Sequence, residues 1–178
     1  MKFSTYELVL IGIFSALFCI IGPINIPIGP IPLSLMSFIL FLSIYLIGYK
    51  LATFSYLIYI LIGFMGLPVF TGFSGGFSKL ISPTGGYIVG FIFTSIISGY
   101  LLAKTNNRLL SILYMLIGTA ILYFFGTIWF SVISENRYII EILKICVTPF
   151  ILVDLVKILI VAFIAPMLQK KLKIALKN

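Results

Sequence analysis

Two charged side chains, Asp154 and Lys157, stand inside the last long apolar stretch of the chain, residues 147–168. No other charged residue lies within such a stretch. An ionisable group near the bilayer centre costs roughly 2.5–3.5 kcal/mol on insertion scales, so one that is retained usually faces a protein-lined cavity. Three positions apart on a helix, the two side chains share a face and can pair or bind one ligand. They mark a candidate site; the alternative is a buried ion pair that only fixes helix packing.

The elements around this pair are predicted to be membrane-spanning helices. Hydrophobic residues make up 62% of the 178 positions and charged residues 9%, and the mean hydropathy is +1.27. Such a composition indicates an integral membrane protein. Apolar intervals of about 20 residues can cross a hydrocarbon core ~30 Å thick. We therefore predict an all-α integral membrane protein, a six-transmembrane-helix bundle forming a single domain over residues 1–178, with helices at about 6–22, 32–48, 51–66, 86–103, 109–133 and 147–168.

The net charge of +8 is distributed as in a membrane protein and not as in a nucleic-acid-binding one. With six helices both termini lie on one side, and that side holds most of the basic residues: Lys2, Lys50, Lys104, Arg108, Lys170, Lys171, Lys173 and Lys177. The other side has Lys79, Arg137 and Lys144, the last two among Glu135 and Glu141. The positive-inside rule predicts cytoplasmic termini in a multi-pass protein of the cell membrane. The C-terminal lysines then contact anionic lipid headgroups.

Two segments of the predicted outer side, residues 23–32 and 68–83, are rich in proline and glycine. The second is too apolar for a solvated loop, and irregular backbone at membrane depth is tolerated where it is buried in protein or lines a cavity. The backbone amides of Gly75 and Gly76 and the side chain of Lys79 are candidates to bind an anionic or amide-bearing ligand. The glycine spacing fits neither a phosphate-binding loop nor a dinucleotide turn.

The start of the second helix carries Ser34 and Ser37, three positions apart, with Met36 between them. The two hydroxyls either cap the first turn or face the interior. In the second case Met36 supplies an adaptable apolar wall.

The residue types argue against an enzyme. The chain has no histidine and four acidic residues, whereas membrane transferases need a carboxylate cluster for Mg²⁺ or a histidine base. Cys19 and Cys146 are isolated, so they suggest neither a disulfide nor a metal site. There is no ATP-binding motif, and a proton-coupled carrier using Asp154 lacks the expected inverted repeat of broken helices. A small ligand-binding membrane subunit without a cofactor, energised by a partner, fits best.

Several strings of the chain resemble the BioY family, the biotin-specific substrate-binding subunits of energy-coupling factor (ECF) transporters. They are Pro30-Ile-Pro-Leu-Ser-Leu-Met36, Gly66-Leu-Pro-Val-Phe70, Gly75-Gly76, Ser82-Pro-Thr-Gly-Gly-Tyr87-Ile-Val-Gly-Phe91, Gly126-Thr-Ile-Trp129 and Pro149-Phe-Ile-Leu-Val-Asp154-Leu-Val-Lys157. The resemblance covers nearly the whole chain. It implies a six-helix bundle that captures biotin from outside and docks to a transmembrane coupling protein and two cytoplasmic ATPases.

The resemblance also implies roles for individual residues. The aspartate and lysine of the final helix, here Asp154 and Lys157, would bind biotin, because charge-assisted hydrogen bonds suit its ureido group. Apolar walls for the ring and the valeryl chain are expected from Met36, Phe70, Tyr87 and Trp129. On charge alone, Lys79 is the candidate for the valerate carboxylate.

In related subunits a small-residue pattern on the first helix contacts the coupling protein, and Gly12 and Ala16 offer such a face here. Two alternatives stay open beside biotin capture. One is a substrate-binding subunit for another small vitamin, and the other is a structural or regulatory membrane protein with no ligand.

Overall fold

The structure, a computed structural model, describes residues 3–134 and 138–175, with 139 and 172–175 described by their backbone alone. Lys2, Glu135, Arg137 and Lys177, which contribute to the predicted charge asymmetry, lie outside the described residues, as does the side chain of Lys173. In chain order the elements are α1 (Thr5–Ile21), β1 (Asn25–Ile26), β2 (Leu33–Ser34), α2 (Met36–Ile47), α3 (Tyr49–Phe64), α4 (Ser78–Ile81), α5 (Gly85–Leu102), α6 (Arg108–Ser134), α7 (Ile139–Cys146) and α8 (Thr148–Ala175).

Each of the six predicted helices overlaps one helix of the structure, namely α1, α2, α3, α5, α6 or α8. Within the described residues, three helical stretches are long and apolar enough to cross a membrane: Gly85–Leu102, Arg108–Ser134 and Ile140–Lys171. The apolar helices α1, α2 and α3 are shorter. The architecture is therefore mostly helical and multi-pass, with three candidate spans among the residues the structure describes.

The segment between α1 and α2 departs from the all-α prediction, because it contains a small β-hairpin. Asn25 pairs with Ser34 and Ile26 with Leu33 in an antiparallel register. Pairing commits the backbone of residues 33–34 to the hairpin, so α2 begins at Met36 and not at the predicted residue 32. The Ser34 hydroxyl accepts the Met36 N–H at 3.0 Å, which satisfies one free donor of the first helical turn.

Two short helices were absent from the prediction. The four-residue α4 interrupts the glycine-rich loop between α3 and α5. The eight-residue α7 precedes α8, and its Ile142 and Cys146, four positions apart, are almost fully buried. Apolar residues at that spacing form one face of a helix.

The two ends of the bundle are built from different connections between the helices. At one end, Phe3 near the start of α1, the turn at Gly48 and the connection at Ala103 line a common surface depression. Gly48, at φ 81°, makes the sharp turn between α2 and α3 in a conformation that glycine adopts without strain. At the other end lie the hairpin, the glycine-rich loop and α7. Gly72 N–H donates to the Pro23 carbonyl at 3.1 Å, which joins the loop to the hairpin.

Candidate functional site

Asp154 and Lys157 form an ion pair one helical turn apart on α8. Lys157 Nζ lies 2.9 Å from Asp154 Oδ1. The residues are 7% and 8% exposed, so both charges are removed from solvent. The spacing of three positions therefore predicted their contact correctly.

Residues from other elements complete the environment of the pair. Ser37 Oγ of α2 donates to Asp154 Oδ1 at 3.1 Å, and Tyr123 Oη of α6 donates to Asp154 Oδ2 at 2.7 Å. Lys157 Nζ donates to the Ser34 carbonyl at 2.6 Å and to Ser37 Oγ at 3.3 Å. A buried charge is tolerable only when it is paired and its remaining hydrogen-bonding capacity is used. This network meets that condition and ties α2, α6, α8 and the hairpin together.

The same network borders a cavity at the hairpin end of the bundle. The cavity has an empty volume of about 660 Å³, which includes open solvent at its mouth. Its polar wall is Ser34, Ser37, Thr71, Thr84, Tyr123, Asp154 and Lys157. Its apolar and aromatic wall is Ile31, Pro32, Met36, Tyr56, Tyr59, Phe70, Tyr87, Ile88, Phe91, Leu122 and Phe150. An apolar chamber with a charged pair at one wall is suited to a ligand that combines apolar surface with a polar head group.

Three of the predicted wall residues line this cavity beside the pair. Met36 and Phe70 are 4% and 1% exposed, and the Phe70 ring fills the space that a side chain at Gly63 would occupy. The Tyr87 ring likewise lies where a side chain at Gly126 would stand. Tyr87 Oη donates to the Cys146 carbonyl at 2.7 Å, so it connects the cavity wall to the end of α7.

Four other predicted site residues, Lys79, Gly75, Gly76 and Trp129, are not among those that line the cavity. A side chain at Gly75 would overlap the carbonyls of residues 66 and 67, and Gly76 N–H donates to the Gly63 carbonyl at 2.8 Å, so both glycines serve the fold of the loop. Trp129 Nε1 donates to the Ser82 carbonyl at 3.2 Å. Its side chain also packs where a Cβ at residue 86 would lie.

Lys79 belongs to the short helix α4 within the glycine-rich loop. The residue is half-buried, and this burial lowers the pKa of its ammonium group. Its assignment to a ligand carboxylate followed from its charge alone. Among the described residues that line the cavity, Lys79 does not appear.

The sequence left two alternatives open for Ser34 and Ser37 and did not single out Tyr123. The two serines have different roles. The Ser34 hydroxyl accepts the Met36 N–H at the start of α2, whereas the Ser37 hydroxyl faces the interior and contacts both charges. Tyr123 was not recognised, although a tyrosine in the middle of a long apolar helix is a usable signal, since a buried hydroxyl requires a partner. Tyr56 is a second case, and its hydroxyl donates to the Ile88 carbonyl at 3.1 Å.

The opposite end of the bundle has a cavity of different composition. Its wall includes Tyr45, Arg108, Ser111, Pro166 and Gln169. Gln169 Nε2 donates to the Tyr45 carbonyl at 2.7 Å, which fixes the last part of α8 against α2. Arg108 is exposed and lies over the Phe163 ring at 5.5 Å from its centroid. The charges at this end are thus solvent-accessible, in contrast to the buried pair.

Comparison with known proteins gives a consistent result. The family model described as "BioY family" matches residues 1–174. The biotin transporter BioY of Thermotoga maritima is 38% identical over 167 residues, which cover 92% of this chain and 96% of the relative. The probable biotin transporter BioY of Pyrococcus horikoshii is 37% identical over 164 residues, with 92% and 96% covered. A crystal structure of the S-component for biotin from an ECF-type ABC transporter superposes with a TM-score of 0.85 at 27% identity, covering 95% of each chain.

Proposed function

Because this chain belongs to the BioY family, we propose that it binds biotin and imports it across the membrane as the substrate-binding subunit of an ECF-type transporter. The observation that supports this function is the cavity at the hairpin end, where the buried pair Asp154 and Lys157 borders an apolar and aromatic chamber. Biotin combines an apolar ring and chain with a polar ureido group, so its two parts match the two kinds of wall.

We assign the ureido group to the polar wall. The Asp154 carboxylate accepts a ureido N–H as a charge-assisted hydrogen bond, which is about twice as strong as a neutral one. Lys157 balances the carboxylate charge. Its three donors are used within the protein, to the Ser34 carbonyl, the Ser37 hydroxyl and Asp154 Oδ1, which holds the carboxylate in place. Met36, Phe70 and Tyr87 then contact the apolar part of biotin.

The remaining predicted contacts stand on weaker support. Lys79, Gly75, Gly76 and Trp129 lie outside the cavity wall. Contact of the first three with biotin requires a rearrangement of the glycine-rich loop. Trp129 and Gly86 instead pack α6 against α5. Thr71 and Thr84 line the cavity. Their hydroxyl groups are nearer candidates to bind the valerate carboxylate.

The topology we propose has six membrane helices, α1, α2, α3, α5, α6 and α8, with both termini in the cytoplasm of a bacterial cell. The support is the charge distribution, since Lys50 and Arg108 belong to the end of the bundle that also holds Phe3. The cavity then opens to the outside, where substrate capture must occur. Residues at the basic end would meet anionic lipid headgroups.

We propose that α1 contacts the transmembrane coupling protein, which is in turn driven by two ATPase subunits. The buried residues of α1 include Phe14 and Phe18, whereas Gly12 and Ala16 are exposed. A Cβ at Gly12 meets no atom within 4 Å. This leaves a shallow face of small residues that another helix can approach closely.

Biotin titration of the purified chain in detergent tests the ligand assignment. We expect saturable, tight binding that thiamine and riboflavin do not compete for. An absence of biotin binding would remove the main support for the proposed function, and equal affinity for an unrelated vitamin would reassign the substrate.

Uptake by cells that contain the full transporter tests the partner surface. Gly12→Leu and Ala16→Leu are expected to leave biotin binding intact and to reduce uptake, because a large side chain keeps the two helices apart. The control is Ala120→Leu, which enlarges an exposed alanine of α6. Unchanged uptake in both α1 variants would exclude this face of α1 from the coupling surface.

A further inference from the structure

We infer that Tyr123 recognises the ureido carbonyl of biotin by transferring its hydroxyl hydrogen bond from Asp154 to the ligand. The inference rests on the proposed function, and it adds a specificity-determining residue to the Asp154 and Lys157 pair. In the structure, Tyr123 Oη donates to Asp154 Oδ2. In the complex, Oδ2 accepts the ligand N–H and Tyr123 donates to the neighbouring carbonyl oxygen.

The acceptor capacity of Asp154 determines where the ligand N–H can bind. A carboxylate offers about four acceptor positions, two on each oxygen. Oδ1 already accepts from Lys157 at 2.9 Å and from Ser37 at 3.1 Å. Oδ2 accepts only from Tyr123 among the described residues, at 2.7 Å. A ligand donor is therefore directed to Oδ2, on the side of the carboxylate that faces Tyr123.

The chemistry of a cyclic urea then brings its carbonyl close to Tyr123. Each ureido N–H stands next to the carbonyl on the same ring, so a donor and an acceptor form one edge of the ligand. Asp154 Oδ2 and Tyr123 Oη are an acceptor and a potential donor 2.7 Å apart, and both residues line the cavity. The phenolic hydrogen can turn from one acceptor to another by rotation about the C–O bond. One protein–protein hydrogen bond is thereby replaced by two protein–ligand hydrogen bonds.

Lys157 is the competing donor for the ureido carbonyl. Its three N–H groups already donate to the Ser34 carbonyl, to Asp154 Oδ1 and to Ser37 Oγ. Its bond to Ser34 is short, at 2.6 Å, and its partner atom on Asp154 is Oδ1. Lys157 therefore lies on the occupied side of the carboxylate, whereas Tyr123 lies on the side with a vacant acceptor position.

The test compares biotin with its analogue in which sulfur replaces the ureido oxygen, because a thiocarbonyl is a weaker hydrogen-bond acceptor. We expect the parent chain to bind the sulfur analogue about tenfold more weakly than biotin. Tyr123→Phe, which keeps the ring and removes the hydroxyl, should weaken biotin binding about tenfold. In this variant the ratio between the two ligands should fall towards one, because the group that discriminates between them is gone.

A matched control separates recognition from general disturbance of the cavity. Tyr56→Phe removes a hydroxyl that donates to a backbone carbonyl on the cavity wall, and it should leave the ratio between the two ligands at the parent value. A Tyr123→Phe variant that keeps the parent ratio would overturn the inference and assign the carbonyl to another donor such as Lys157. A parent chain that binds neither ligand would instead contradict the proposed function.

Discussion

Among the residues that the structure describes, two groups of buried polar side chains can be compared, because they differ in what they border. The first group is Asp154, Lys157, Ser37 and Tyr123, which meet at the wall of the cavity. The second group joins α3, α5 and α6 through Thr53, Thr94, Ser95 and Ser98, which are at most 8% exposed. Thr53 and Ser95 hydroxyls lie 2.7 Å apart, Thr94 donates to the Gly118 carbonyl at 2.9 Å and Ser98 to the Tyr114 carbonyl at 2.7 Å. None of these four residues lines the cavity.

The comparison shows how polar groups that promote helix association in a membrane protein can be distinguished from polar groups that bind a ligand. A neutral interhelical hydrogen bond contributes about 0.6 kcal/mol on average, and its donor is a small side chain that allows close packing. A charged pair is costly to bury and often stabilises no more than apolar residues of the same volume. Helix association therefore explains why the residues of the second group are polar. Helix association does not explain the first group, and we propose that its position at the cavity wall, where it can bind a ligand, is the reason for its burial.

The largest effect is expected when the charged pair is removed as a whole. In the double variant Asp154→Asn and Lys157→Met, biotin affinity should fall by about 10- to 100-fold, because a hydrogen bond to a charged group contributes roughly 1.5–3 kcal/mol. The free energy of unfolding should change by less than about 2 kcal/mol, since no charge is left unpaired. Isothermal titration and thermal denaturation in detergent measure the two quantities.

The single variant Lys157→Met provides the control for this prediction. It leaves the Asp154 carboxylate buried without its counter-ion, which costs about 3–5 kcal/mol in comparable pairs. A double variant that binds biotin like the parent would assign the pair to helix packing. The first group would then have the same role as the second group.

A smaller effect, on stability and not on binding, is expected in the second region. A Cβ at Gly118 would lie 2.7 Å from Ser98 Cβ and 2.9 Å from its Oγ. Gly118→Leu should therefore push α5 and α6 apart and lower stability by about 1–3 kcal/mol. Biotin affinity of the folded fraction should change by less than about tenfold. Ala120→Leu, an exposed position of the same helix, controls for the added volume.

Loss of biotin binding in Gly118→Leu without loss of thermal stability would contradict the division into two groups. It would mean that the contact between α5 and α6 determines the shape of the cavity directly.

The sequence predicted the two regions unequally well, and the reason is the range of the contacts. Apolar intervals between charges were sufficient to locate the six longer helices but not α4 or α7. The spacing of Asp154 and Lys157 was sufficient to place them on one face of a helix, where they can pair. Their bonds to Tyr123 and Ser37 join residues 31 and 117 positions from Asp154. Such partners depend on how α2, α6 and α8 pack, and neither residue type nor local spacing specifies that packing.

The errors have local causes as well. Leu33 and Ser34 pair with Ile26 and Asn25 across a proline-rich turn, and the hairpin was not predicted because its strands have two residues each. Lys79 was assigned to the valerate carboxylate because it is the one charged residue of its loop. The charge of a residue does not indicate the direction of its side chain. A Cβ at Gly75 would overlap backbone carbonyls, and Gly76 has a φ of 89°, which favours glycine, so both glycines are explained by the backbone.

The smallest expected effects give the sharpest comparison, because one hydroxyl is removed from each group. Thr94→Val is nearly isosteric and deletes the bond to the Gly118 carbonyl, whereas Ser37→Ala deletes the bridge between Asp154 and Lys157. Each change should lower stability by about 1 kcal/mol. Only Ser37→Ala should weaken biotin binding, by about fivefold, since the carboxylate then loses one of the donors that orient it. Equal biotin affinities for the two variants would show that the hydroxyl beside the cavity serves packing alone, as the hydroxyl between α5 and α6 does.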